Sequence, residues 1–369
     1  MKRAVADKIA SVAQSCGLTP EIRLSADIPA EEGVVVAVEV LNDKATYNNL
    51  ELASGRMATV KRGDVLVGAL GHRKALFGYS GSVPESVHPG DTVHLLNLGG
   101  VLGTCESADP ERGKPFDCKV LGSVLDFPFL GERIGVPARV GGAELSKSAK
   151  LDTKGIPVVA IAGTCMDSGK TVAACAIVSR LRHKGLVVDA FKATGVSAQR
   201  DILAMEDAGA RETRIFTDFG VVTTSSSNGP DLTKTMLNEL AAGQPDFIVF
   251  ELGDGLLGAY GVEAILSDDA IRSALTSVVL SAICLTRPSL SLLQVQRVRG
   301  WVSGPLSSTM APSSTLKALP ASLTFQPSRV LPSKIGLKSP SAMASEPRTR
   351  QAIMARQSSF FIGEGPLSY

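Results

Sequence analysis

Ile156-Pro157-Val158-Val159-Ala160-Ile161-Ala162-Gly163-Thr164-Cys165-Met166-Asp167-Ser168-Gly169-Lys170-Thr171 runs from a continuous apolar segment straight into a polar loop bracketed by glycines. An apolar run without alternation suits a strand buried on both faces of a parallel sheet. The following Lys170 to Lys184 carries helix formers and an apolar stripe, and Gly185 ends it. Strand, glycine-bracketed loop and helix in that order are the start of a βαβ unit.

The same pattern repeats outward from that point. Leu186-Val187-Val188-Asp189-Ala190-Phe191, Phe247-Ile248-Val249-Phe250 and Ser277-Val278-Val279-Leu280 read as three further strands. Strands alternating with helical stretches over residues 150–282 predict an α/β domain with a doubly wound parallel sheet. Residues 20–145 have another texture. Gly33 to Leu41 reads as a strand, and Arg62-Gly63-Asp64-Val65 and Pro89-Gly90-Asp91-Thr92 are two Gly-Asp turns, each opening a β-prone run. Frequent glycines after them predict a β-rich small barrel or sandwich preceding the α/β domain. Ahead of it, Val5, Ile9 and Val12 recur at helical spacing with Gly17 as a stop, so residues 1–19 are expected to form a helix. From 283 to 369 the acidic residues are Glu346 and Glu364 alone, against ten Lys and Arg, and Ser and Pro are frequent. That stretch reads either as a flexible basic tail or as the product of a shifted reading frame.

Composition narrows the function classes. Apolar residues make up 44% of the chain and charged ones 20%, with a net charge of +2. Such a balance gives no electrostatic case for nucleic acid or an anionic membrane as partner. No apolar run approaches the ~20 residues of a membrane span. Asp7 and Lys8 interrupt any signal-peptide core, and the six cysteines form no CxxC or zinc spacing. A reducing cytoplasm is the expected compartment.

The loop itself points to phosphate. Gly163 and Gly169 let backbone N–H groups wrap an anion without side-chain interference. Lys170 places a positive charge beside it, and the helix N-terminus adds a partial one. The Thr171 hydroxyl can ligate Mg²⁺ bridging the phosphates. Gly163, Thr164, Cys165, Met166, Asp167, Ser168, Gly169, Lys170 and Thr171 are therefore the candidate nucleotide-binding residues. The usual spacing is G-x-x-x-x-G-K-[ST], whereas five residues separate Gly163 from Gly169 here. Asp201 and Glu251 each follow a predicted strand, where a parallel sheet gathers ligands. With Thr171 they form a candidate metal set, although Asp201 also suits a helix cap. Lys192 is a candidate second phosphate or substrate contact, or a solvated loop lysine. Asp254 suits either water positioning or a turn.

The loop Gly163-Thr164-x-x-x-x-Gly169-Lys170-Thr171 resembles that of dethiobiotin synthetase, the related amidotransferase-type synthetases of cobalamin assembly and, more distantly, MinD-like ATPases. Three stretches agree in the same chain order: Phe191-Lys192-Ala193-Thr194-Gly195, Arg200-Asp201-Ile202-Leu203-Ala204-Met205 and Val249-Phe250-Glu251-Leu252-Gly253. The resemblance implies an ATP- and Mg²⁺-dependent enzyme that activates a small carboxylate or carbamate by phosphoryl transfer. Lys170 and Lys192 would then be catalytic, and Thr171, Asp201 and Glu251 would hold the metal. It also implies an unidentified small-molecule substrate and pairing of two copies into a homodimer. Cys165 and Met166 replace the Asp-Thr of the synthetase loop, and Leu252 replaces its glycine. No base-recognition loop is legible after the fourth strand, which leaves ATP or GTP open. A nucleotide-switched ATPase or GTPase, and a degenerate nucleotide-binding protein, are the rival expectations.

Other motifs carry less. Gly253-Asp254-Gly255-Leu256-Leu257-Gly258 matches the dinucleotide fingerprint, but no acid ends the next strand, and Glu251 would oppose a pyrophosphate. These glycines are expected to let the chain pass close to the phosphate loop. His72, His88, His94 and His183 are scattered, and the kinase-like Asp218-Phe219-Gly220 lacks its companion motifs.

Overall fold

The computed structural model describes residues 1–297 except 76, 77, 130, 144, 148, 149, 285 and 286, so residues 298–369, most of the stretch read as a tail, lie outside the described residues. The first half contains β1 (Lys2–Val5), β2 (Lys8–Ile9), β3 (Glu21–Ser25), β4 (Val35–Val40), β5 (Asn49–Glu51), β6 (Met57–Thr59) and β7 (Val65–Leu70). It continues with β8 (Arg73–Lys74), β9 (Tyr79–Ser82), β10 (Thr92–Leu95), β11 (Val101–Ala108), β12 (Phe116–Asp126) and β13 (Val136–Pro137). Pairing runs β12-β4-β7-β11, and β10 joins β11 to β12, which closes a small barrel. Val36, Val38, Leu66, Val93, Leu102, Phe116 and Val120 lie buried in its core. The two Gly-Asp turns do the same work. Gly63 and Gly90 take left-handed φ of 87° and 101°. Asp64 then accepts from the Lys61 amide at 2.6 Å and Asp91 from the His88 amide at 2.8 Å.

Residues 1–19 do not form the expected helix. β1 pairs antiparallel with β3 and β2 pairs parallel with β7, and a short 3₁₀ turn, Ser11–Cys16, follows. Three apolar positions are a weak periodicity, and an isolated helix of that length is marginal in water. Sheet edges that accept the chain decide its conformation instead.

The second half contains β14 (Val158–Gly163), α1 (Lys170–Arg182), β15 (Val188–Thr194), α2 (Arg200–Asp207), β16 (Thr213–Ile215) and α3 (Gly229–Ala242). After these come β17 (Phe247–Leu252), α4 (Val262–Ser267), α5 (Asp269–Ala274), β18 (Leu275–Cys284) and β19 (Arg287–Arg297). The sheet order is β16-β15-β17-β14-β18-β19, parallel except for β19, which runs antiparallel to β18. β19 lies within the stretch that composition assigns to the tail. Helices cover both faces. Ile161, Ala173, Val178, Met205 and Val249 fill the layer under α1 and α2. Phe191, Leu232, Met236, Phe250 and Ile265 fill the layer under α3 and α4. The chain leaves β14 for β15 on one side and reaches β18 on the other, so β14 stands at the topological switch point. No helix among the described residues is long and apolar enough to cross a membrane.

The Phe191 and Phe250 rings stack at 4.7 Å in the centre of the second layer, and both are fully buried. Phe250→Ala removes that stack and leaves a cavity, so urea unfolding is expected to show a loss of about 3–5 kcal/mol.

Candidate functional site

β14 delivers Gly163 to the C-terminal edge of the sheet, and the chain then curls back on itself before α1. Asp167 and Gly169 take left-handed φ of 58° and 93°, which makes the curl possible. At Gly163 a Cβ would lie 2.4 Å from Ser168 Oγ and 2.8 Å from the Lys170 side chain, so only glycine fits. The base of the loop is anchored from β18. The Thr164 amide donates to Ser281 O at 3.1 Å, and the fully buried Ser281 hydroxyl donates to Ser168 O. Among the described residues, the amides of Cys165 through Val172 donate to no protein acceptor. Unpaired backbone donors concentrated on one turn form an anion-binding concavity.

Lys170 opens α1 and is 5% exposed. Its Nζ arches back and donates to Cys165 O at 2.7 Å. Burial holds its ammonium below the usual lysine range, partly offset by Glu251 and Asp254. Opposite it, the sheet register sets Glu251 on β17 between Ile161 of β14 and Lys192 of β15. Glu251 is 3% exposed, and its Oε2 has no hydrogen-bond partner. Burial and then the charge of Asp201 push its carboxyl above the ordinary range, against Lys192 and the Thr171 hydroxyl. Lys192 ion-pairs with Asp201, the second residue of α2. Burial alone would lower Lys192, but Asp201 and Glu251 outweigh it and hold its ammonium above the usual value. Burial opposes ionisation of Asp201 too, yet Lys192 and Arg200 hold it below the carboxylate range.

Lys170, Thr171, Lys192, Asp201 and Glu251 thus gather at one end of the sheet, although they come from four elements. Asp254 stands beside them with φ of 68°, and burial raises its carboxyl against the Gly255 amide and Lys170. The glycines around it serve close packing: a Cβ at Gly255 would lie 2.7 Å from Thr164 O, and the Leu256 amide donates to Gly163 O at 3.0 Å. Cys165 is exposed on the loop. A cleft of about 330 Å³, lined in part by Gln199, Leu203, Arg214 and Glu239, opens on the other face of α2 from Asp201 and does not include the phosphate loop.

The β-rich half sits over this edge of the sheet. Asn97 Nδ2 donates to Ser197 O at 2.8 Å, the Thr223 amide donates to Glu32 at 2.7 Å, and the Lys74 amide donates to Tyr260 Oη at 3.0 Å. Glu51, Ser281 and Tyr260 are site-supporting residues that the sequence does not signal, because their partners are distant in the chain and no local motif marks them.

No family model matches the chain, and no curated protein matches it. Among solved structures it is similar to the signal recognition particle receptor FtsY from Elizabethkingia anophelis in complex with GDP, at 15% identity and a TM-score of 0.27. The match covers 38% of this chain and 42% of that one, so less than half of the receptor's length is spanned.

Glu251 yields a pH signature. Its folded carboxyl holds a proton more tightly than the unfolded one. As pH rises from the ordinary Glu range through the raised folded value, the native state binds more protons than the unfolded state, and Glu251 erodes stability. Glu251→Gln is expected to remove that erosion. Urea midpoints of mutant and wild type should coincide at the acid end of the window, with the mutant the more stable at neutral pH.

Proposed function

We propose that this chain binds a nucleoside triphosphate with Mg²⁺ on residues 163–171 and transfers its terminal phosphoryl group to a small carboxylate or carbamate. One observation carries the reading: a turn of unpaired amides, Cys165 to Val172, stands beside a buried lysine and a buried carboxylate oxygen without a partner. The amides and Lys170 would cradle the phosphates, and Lys192 would supply a second positive charge where negative charge accumulates during transfer. The donor set suits Mg²⁺, which takes oxygen ligands, one or two of them carboxylates, alongside phosphate and water. Glu251 Oε2 and the Thr171 hydroxyl would hold the ion, with Asp201 as a further carboxylate now paired to Lys192. When bound, the ion would neutralise charge on the phosphoryl oxygens. The carboxylate or carbamate acceptor rests on the resemblance of the four motif stretches to the dethiobiotin synthetase group.

A second reading, a nucleotide-governed switch, draws on the docking of the β-rich half onto the segments that leave β15, β16 and β17. A ligase releases phosphate only with its small acid present. A switch hydrolyses slowly alone and changes rate with a partner.

Binding itself is tested by thermal unfolding with Mg²⁺ and either ATP or GTP. Ligand ~100-fold above its dissociation constant should stabilise wild type by about 2.7 kcal/mol. Lys170→Ala is expected to shift far less, and an equal shift would place the nucleotide elsewhere. Cys165 offers an independent check. Its alkylation should slow when nucleotide is present, and unchanged rates would put the phosphates away from the loop.

A further inference from the structure

The helix that carries Asp201 is not capped by its own sequence. Gln199, at the N-cap of α2, makes no side-chain capping bond. The cap comes from the other half of the chain. Glu51, the last residue of β5, is 1% exposed and reaches the start of α2. Its Oε2 accepts from the Gln199 amide at 2.7 Å and its Oε1 accepts from the Arg200 amide at 2.6 Å. The Ser11 hydroxyl donates to the same Oε2 and fixes the carboxylate from behind. A charged acceptor on two helix-start amides is a strong contact, and it also complements the helix dipole.

The approach leaves no slack. A Cβ at Gly99 would lie 2.0 Å from Ser197 O, and Asn97 holds that same carbonyl. The Ser197 amide in turn donates to Val222 O at 2.9 Å. α2 has eight residues, too short to define its own start in water. Asp201 follows directly on the amide that Glu51 holds, and it carries the ion pair to Lys192.

We propose that Glu51 is a positioning residue for the phosphate site. It fixes the start of α2, and through it the Asp201–Lys192 pair, so the β-rich half sets the metal affinity of the α/β half. This rests on the nucleotide reading above. Because binding linkage is reciprocal, an event that moves β5 changes metal affinity, and metal binding in turn steadies β5 against the helix.

The test follows Mn²⁺ binding to the nucleotide complex by the paramagnetic signal of the free ion, in wild type, Glu51→Gln and Ser11→Ala. Nucleotide affinity without metal is measured alongside. Glu51→Gln is expected to weaken Mn²⁺ binding by about tenfold, the scale of an outer-shell partner, and to leave metal-free nucleotide affinity nearly unchanged. Ser11→Ala should lose less, in the same direction, and it carries the test if Glu51→Gln does not fold. Unchanged Mn²⁺ affinity in the folded variants overturns the proposal. So does an equal loss of metal and metal-free nucleotide binding, which marks a general structural role. Wild type that binds neither ATP nor GTP overturns the nucleotide reading itself, and this inference with it.

Discussion

The amides of Cys165 through Val172 have no acceptor in the described chain, and much of the α/β half is arranged around holding them so. Backbone donors rarely go unpaired away from water. Here the loop cannot relax into a simple extension of α1, because Ser281 pins its base and Asp167 and Gly169 keep left-handed backbone. Gly163 lets the loop's own Ser168 and Lys170 side chains fold back over its start, and Gly255 lets the segment after β17 press against Thr164. The result is a turn whose amides have no protein acceptor among the described residues. Its position follows from topology. β14 lies at the switch point of the sheet, where the loops at the carboxyl ends of the strands diverge and leave a crevice.

The charges behind the loop are arranged in a related way. Lys170 is pushed toward neutrality by burial, and so is Glu251, in the opposite sense of charge. Lys192 and Asp201, by contrast, satisfy each other and stay ionised. A buried group whose pKa has moved toward the neutral form gains most from an incoming partner of opposite charge. Phosphate would restore the charge on Lys170, and a divalent cation would restore it on Glu251. The Lys192–Asp201 pair keeps both of its charges in place beside them. Under the proposed function, the site is electrostatically complementary to a metal–phosphate pair and less so to either alone.

What the sequence reveals divides along the same physical lines. The phosphate loop is legible because every requirement is local: apolar strand, bracketing glycines, lysine at the helix start. The Gly-Asp turns at Gly63 and Gly90 are legible for the same reason, since the aspartate bonds an amide three residues back. Lys192, Asp201 and Glu251 can be nominated because each sits near the end of a strand or at the start of the helix that follows one. Their mutual arrangement cannot be read, because strand order and register are set by the whole sheet. Residues 1–19 fail as a helix because their pairing partners, β3 and β7, are not visible in the local pattern. Glu51 is the least legible of all. It sits 148 residues from Gln199, in a short strand with no motif around it.

That distance bears on how the two halves relate. Composition changes sharply near residue 150, and the sheets on either side are separate. The polar contacts across that boundary converge on segments leaving the carboxyl ends of three strands: Ser197 after β15, Thr223 after β16 and Tyr260 after β17. Those segments leave the same edge of the sheet as the phosphate loop. The barrel also holds the start of α2, where its buried carboxylate, Glu51, accepts from the Gln199 and Arg200 amides. The boundary in composition therefore does not divide the site, because the wall formed by α2 is held from the β-rich side.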